Sequence, residues 1–206
     1  MQVITLNQEA LEVAAARLAE KVAAGCSCCP YDIIIGIKRG GSYVCDAFCH
    51  AFPETLCGKR YDVALQRPST RKKGGFLRII LKRLPVKMLD LMRMAESRLL
   101  SFRNRHKNES VTPQVAIDLE LKAIVAETEN PRILLIDDAI DSGHTLSAVI
   151  ATLKNINPSA AIETAVITET TDSPIVRADY SIYCNRTLIR FPWSNDFKNT
   201  QKVPHL

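Results

Sequence analysis

The sequence predicts an α/β fold, a mostly parallel sheet flanked by helices. Two observations carry this. The runs Asp32-Ile33-Ile34-Ile35-Gly36-Ile37 and Ile133-Leu134-Leu135-Ile136 are short, continuously apolar and rich in branched residues, as strands buried on both faces are. Each run then passes through a polar, glycine-containing turn into a helical pattern, and strands alternating with helices specify a parallel sheet covered on both sides. The length of 206 residues suits a single domain with room for one sizeable insertion.

Taken in order, residues 8–24 place Leu11, Ala14, Ala15, Leu18 and Val22 on one helical stripe, with Gly25 as the stop. The first buried strand follows and leads into Gly40-Gly41, after which Ser42 to Ala51 reads as helix. Tyr61 to Arg67 alternates, with Tyr61, Val63 and Leu65 apolar, and Phe76 to Arg83 is rich in strand formers. Residues 61–83 are therefore expected to form a hairpin around the polar, basic loop 68–75. Pro85 opens a helical pattern through Met88, Leu91, Met92, Ala95, Leu99 and Phe102, and a second helical segment is expected near 113–128. The stretch 82–129 breaks the simple alternation and reads as a helical insertion. Beyond the second buried strand, Leu146 to Ile156 is helical, and Ala161 to Thr168 and Ala178 to Tyr183 read as strands.

Composition narrows the function classes. Hydrophobic residues make up 47% and charged residues 24%, as in ordinary globular domains, and no apolar run is long enough to span a membrane. The N-terminal residues lack a basic start followed by an apolar stretch, so a cytoplasmic protein is expected. Seven cysteines, an odd number without a secretion signal, read as reduced thiols. A metal site from Cys26, Cys28, Cys29 and His50 is disfavoured, because the cysteines lack the paired spacing of a zinc ribbon.

Charge is segregated. Residues 59–107 hold fifteen Lys/Arg and three acids, a local charge of +12, whereas the remainder of the chain sums to −7. Such a block suits an anionic partner. Nucleic acid is the weaker choice, since the only aromatics in the block are Tyr61, Phe76 and Phe102 and no nucleic-acid-binding motif is present. A membrane-surface helix over 85–107 is also the weaker reading, because its Leu/Met face lacks Trp and suits packing onto the domain or a second subunit.

The chemistry-bearing segment is Ile136-Asp137-Asp138-Ala139-Ile140-Asp141-Ser142-Gly143-His144-Thr145-Leu146. A buried strand delivers adjacent carboxylates to its C-terminal edge, where open α/β sheets bind ligands. The turn after it offers backbone N–H groups, a helix N-terminus and the hydroxyls of Ser142 and Thr145, an arrangement suited to a phosphate. Asp137 and Asp138 can accept hydrogen bonds from a sugar diol or hold Mg²⁺. Neither a Gly-x4-Gly-Lys-Ser/Thr loop nor a Gly-x-Gly-x-x-Gly turn occurs, which favours a ribose phosphate over the nucleoside triphosphate and dinucleotide alternatives.

In its DD-x-x-D-S-G-x-T form this run resembles the phosphoribosyl-diphosphate (PRPP) signature of type I phosphoribosyltransferases, most closely the 6-oxopurine branch. Gly36-Ile37-Lys38-Arg39-Gly40-Gly41 is similar to that family's diphosphate loop, and the basic loop Arg67-Pro68-Ser69-Thr70-Arg71-Lys72-Lys73-Gly74 is similar to its mobile hairpin that closes over the diphosphate. The resemblance implies transfer of a 5-phosphoribosyl group from PRPP to a nitrogenous, purine-like base, with Mg²⁺ as cofactor and a homodimer as the assembly. It implies a ribose and Mg²⁺ site at Asp137 and Asp138, a 5-phosphate site at Asp141, Ser142, Gly143, His144 and Thr145, and a diphosphate site at Lys38, Arg39, Gly40, Arg71 and Lys72. Asp141 takes the position of the general base. Arg190-Phe191-Pro192-Trp193 is similar to a segment that closes the base site, which implies a small C-terminal hood near 186–198 with Trp193 stacking the base. One feature departs from the 6-oxopurine pattern: Val166-Ile167-Thr168-Glu169 lacks the Lys that reads the purine's exocyclic oxygen. The alternative is a regulatory or nucleic-acid-binding protein that keeps the PRPP fold without transferase activity.

Overall fold

Alternate faces of the central strands feed two separate apolar layers. The computed structural model describes residues 2–26, 30–66, 85, 88–95, 114–184 and 186–198. Ile34, Leu134, Ile136, Ala165 and Ile167 point to one side of the sheet, where they pack with Leu11, Leu18, Val22, Val44 and Phe48. Ile33, Ile35, Ile37, Ile133 and Leu135 point to the other, against Leu121, Val125, Leu146, Val149 and Leu153. The result is a three-layer α/β/α sandwich.

Among the described residues the sheet has six strands: β2 (Ile33–Ile37), β3 (Lys59–Gln66), β4 (Gln114–Ala116), β5 (Arg132–Ile140), β6 (Ala161–Glu169) and β7 (Tyr180–Tyr183), in spatial order β4-β3-β2-β5-β6-β7. All neighbours are parallel except β3 and β4. Helix α1 (Gln8–Gly25) and helix α2 (Gly40–Ala51) cover the first face. Asn7 caps α1 by accepting from the Ala10 N–H at 2.8 Å, and Gly25 is its last residue. Helix α3 spans 88–95 in the insertion. Helices α4 (Leu119–Glu127) and α5 (His144–Ile156) cover the second face.

A separate two-stranded parallel sheet pairs β1 (Gln2–Thr5) with β8 (Thr187–Arg190) and forms the hood. Its N-terminal strand was not expected from the sequence. Thr168 of β6 anchors the hood by donating to the Thr187 carbonyl at 2.7 Å.

One expectation is corrected. The segment 113–128 is not one helix: residues 114–116 form β4, and the helix begins only at Leu119, after the Asp118 cap. β3 takes its antiparallel partner from Gln114–Ala116, across the insertion, whereas residues 67–83 of the expected hairpin lie outside the described residues. Among the described residues no helix is long and apolar enough to cross a membrane.

Candidate active site

β5 stays in register with β6 as far as Ile140 opposite Glu169, so the two acids are built into the strand. Asp137 is buried, and its Oδ1 accepts the Asp138 N–H at 2.8 Å. Asp138 accepts a hydrogen bond from the Trp193 indole Nε1 at 3.2 Å. Burial pushes the Asp138 carboxyl above the ordinary aspartate range, against the opposing hydrogen bonds from its neighbours.

The glycine pair on α2 makes this placement possible. A β-carbon on Gly40 would overlap the Asp138 carboxylate, and one on Gly41 would lie 2.7 Å from the Ile136 carbonyl and 2.8 Å from the Asp137 Cα. The N-terminus of α2 is therefore seated directly on the acid pair, and its partial positive charge lies beside the two carboxylates. The Lys38–Arg39 peptide at the entry to α2 is cis. Lys38 and Arg39 are both exposed on the cleft wall.

The bend after β5 is fixed from behind. Gly143 has φ of 82°, and its missing side chain leaves room for Val176. The Ile175 N–H donates to the Ser142 carbonyl at 3.0 Å. The Thr170 hydroxyl lies 3.1 Å from the Ile140 carbonyl and 3.2 Å from Asp141 Oδ1. Helix α5 starts at His144, so its free N–H groups open towards the bend.

These parts line one cleft of about 1060 Å³, which takes in Lys38, Arg39, Gly40, Asp137, Asp138, Asp141, Ser142, Gly143, Thr145, Trp193 and Asn195. Of the expected site residues, His144 is exposed and does not line the cleft, and Arg71 and Lys72 lie outside the described residues. Trp193 stacks against Phe191, with ring centroids 4.8 Å apart, and against Tyr43 at 5.1 Å. It also lines a second groove of about 800 Å³ between α1 and α2, so its indole forms a wall shared by both spaces. Asn195 was missed in the sequence, although its place two residues after Trp193 was the available signal. Thr168 is fully buried beneath the hood. Glu169 is also buried, and accepts from the Ala178 N–H at 3.0 Å and from Arg177 at 3.2 Å. Among the described residues no group of three or more His, Cys, Asp or Glu side chains is placed to hold a metal ion. Cys26 is buried beside Arg132, and Cys28 and Cys29 lie outside the described residues.

A parallel sheet with its cleft at the carboxyl edge of the central strands defines an open α/β protein of the ligand-binding kind. The family model of the phosphoribosyl transferase domain matches residues 5–198, and the chain belongs to that family. Among solved structures, a purine phosphoribosyltransferase from Pyrococcus horikoshii superposes with a TM-score of 0.59 at 20% identity, over 98% of this chain and 99% of that one. The xanthine-guanine-hypoxanthine phosphoribosyltransferase of Helicobacter pylori gives a TM-score of 0.52 at 15% identity, over 93% and 90%. A hypoxanthine-guanine phosphoribosyltransferase from Bacillus anthracis gives 0.54 at 12%, over 88% and 81%. No match is found among the curated proteins.

Proposed function

We propose that the protein transfers the 5-phosphoribosyl group of PRPP to a ring nitrogen of a purine-like base and releases diphosphate. The observation that carries this reading is the convergence, in one cleft of a phosphoribosyl transferase domain, of the Lys38-Arg39-Gly40 bend, the acids Asp137 and Asp138, and the Asp141–Thr145 turn. Each part suits one portion of PRPP. The 5-phosphate fits the turn, where the N–H groups at the start of α5 and the hydroxyls of Ser142 and Thr145 are donors. The ribose diol fits the carboxylates of Asp137 and Asp138. The diphosphate fits Lys38 and Arg39, whose charge stabilises the leaving group as the bond from C1 breaks. Arg71 and Lys72 belong to the same proposal as closing cations.

Asp141 is exposed at the cleft, with one carboxylate oxygen held by Thr170, and is assigned the proton from the acceptor base. The donor set fits Mg²⁺, which is characteristically held by one or two carboxylates together with substrate oxygens. Asp137 and Asp138 would hold it, and the ion would neutralise charge on PRPP as diphosphate departs. Asn195 and the Trp193 wall stand at the acceptor end. The strand end that lacks the purine-reading Lys is turned inward through Thr168 and Glu169, so recognition of the base's exocyclic group falls to the hood. The homodimer and cytoplasmic location belong to the proposal as well; sedimentation velocity measures the first.

The test is incubation with PRPP, Mg²⁺ and a panel of purine and pyrimidine bases. Diphosphate release with at least one base supports the reading, and no release with any base overturns it. The Asp137→Asn/Asp138→Asn double variant should lose PRPP affinity by more than about tenfold, on the scale of two charge-assisted contacts.

A further inference from the structure

One described piece of the insertion reaches the hood. Asp90, on α3, is one of only three acids in the basic block 59–107. It pairs with Arg190 at 2.6 Å. Arg190 closes β8, and its side chain is 1% exposed. It also bonds Asp196 through Nε at 2.8 Å and the Thr5 hydroxyl through Nη1 at 3.0 Å. Arg93, one turn further along α3, pairs with the second oxygen of Asp196 at 2.8 Å and donates to the Ile189 carbonyl. Two cations and two anions thus form one network around the buried Arg190, with Asp90 31% and Arg93 23% exposed at its edge and Leu89 of α3 buried next to Asp90. Burial alone would lower the Arg190 pKa, but the two carboxylates more than offset it and hold the guanidinium charged.

The network clasps both ends of one short turn. Arg190 precedes it and Asp196 ends it, and Trp193 and Asn195, which line the cleft, lie between. Within the turn the Ser194 N–H donates to the Phe191 carbonyl at 2.9 Å and the Phe191 N–H to the Ser194 hydroxyl at 3.1 Å. Trp193 then reaches Asp138. An unbroken series of contacts therefore runs from α3 through Arg190 and the turn to the acid pair. Removing one carboxylate leaves the buried Arg190 with one carboxylate partner fewer, so the arrangement that keeps both is favoured.

We propose that α3 is a strut that sets the position of Trp193, with Asp90 and Arg190 as positioning residues for the acceptor end of the cleft. The catalytic consequence rests on the transfer reading, whereas the structural part does not. Trp193 is the only Trp in the chain, so its fluorescence reports the strut directly.

The experiment compares full-length wild type with Asp90→Asn, Asp90→Glu and Arg93→Gln. In Asp90→Asn, acrylamide quenching of Trp193 should rise at least about twofold with the far-ultraviolet dichroism unchanged, because the buried Arg190 loses one of its two carboxylates. The KM for the acceptor base should rise on the order of tenfold, as for a small misplacement, with kcat and the PRPP KM within about twofold. Asp90→Glu should restore both. A folded Asp90→Asn protein with wild-type quenching and wild-type acceptor KM overturns the proposal. If Asp90→Asn does not fold, Arg93→Gln decides by the same two readings. If wild type turns over no base, the quenching measurement still decides the strut and only the transfer reading falls.

Discussion

Replacing Gly143 with alanine probes the bend on which the proposed 5-phosphate site depends. Gly143 sits at φ of 82°, a region that costs an L-residue about 1–2 kcal/mol. The added β-carbon would also lie 2.9 Å from both the backbone nitrogen and the backbone oxygen of Val176, and 3.3 Å from Ile175 Cγ1. Two of those three neighbours are backbone atoms, which cannot swing aside as the end of a flexible side chain can. Overpacking of this kind adds about 1–3 kcal/mol, for a total of about 2–5 kcal/mol. In a chain of this size each kcal/mol moves Tm by about 2–4 °C, so a fall of about 4–20 °C is expected. The segment around Val176 also has to shift, and its Ile175–Ser142 bond holds the bend, so affinity for ribose 5-phosphate should fall by about tenfold or more. Differential scanning fluorimetry and isothermal titration calorimetry read the two effects. A Gly143→Ala protein with Tm within about 1 °C of wild type and unaltered ribose 5-phosphate affinity would refute the argument that this left-handed bend builds the anion site.

Three further outcomes are expected. Asp138→Asn keeps an acceptor for Trp193 but removes a buried charge. Because the folded-state pKa of Asp138 is raised, wild type loses stability as pH rises through that value. The variant should therefore melt higher than wild type at pH 8, by a margin that shrinks as pH falls towards the unfolded aspartate value of about 3.9, while binding PRPP more weakly. Glu163 shows the opposite sign. Burial would raise its pKa, but hydrogen bonds from Tyr31, Arg132 and Tyr180 outweigh burial and hold it below the glutamate range. Its contribution is fully present above the unfolded value of about 4.3 and is lost as pH falls through the lower folded value. Denaturant titrations of Glu163→Gln should thus show a deficit at pH 7 that closes in acid, and a constant deficit would contradict the assignment. Thr168→Val leaves the Thr187 carbonyl without its buried donor and should cost about 1–3 kcal/mol, measured by urea unfolding.

The elements legible in the sequence are those whose signal is local. β2 and β5 announce themselves as buried apolar runs, α1 by its stripe and its Gly25 stop, and the acid pair and bend by their order along a few consecutive residues. The elements that escaped depend on distant partners. β1 is four residues whose strand partner among the described residues is β8, paired as Gln2 with Thr187. β4 is three residues lying opposite Ala64, Leu65 and Gln66, and nothing in its own sequence separates it from the helix that follows. The Arg190–Asp90 pair joins residues a hundred positions apart. In the segment Arg190–Trp193 the sequence points to the aromatic ring, yet the arginine is the more deeply buried of the two. Periodicity carries no record of such pairings, because the same charges would suit a solvated helix face equally well.

The glycine pair at 40 and 41 also constrains how this cleft can diversify. With no side chain between α2 and the acids, helix and strand edge meet as two machined surfaces without a gasket. A single methyl inserted there has nowhere to go except through a carboxylate or the strand's own backbone, so the floor of the cleft cannot be adjusted in small steps. On the proposed transfer reading, new acceptor preferences have to come through the turn that carries Trp193 and Asn195, both of which line the cleft.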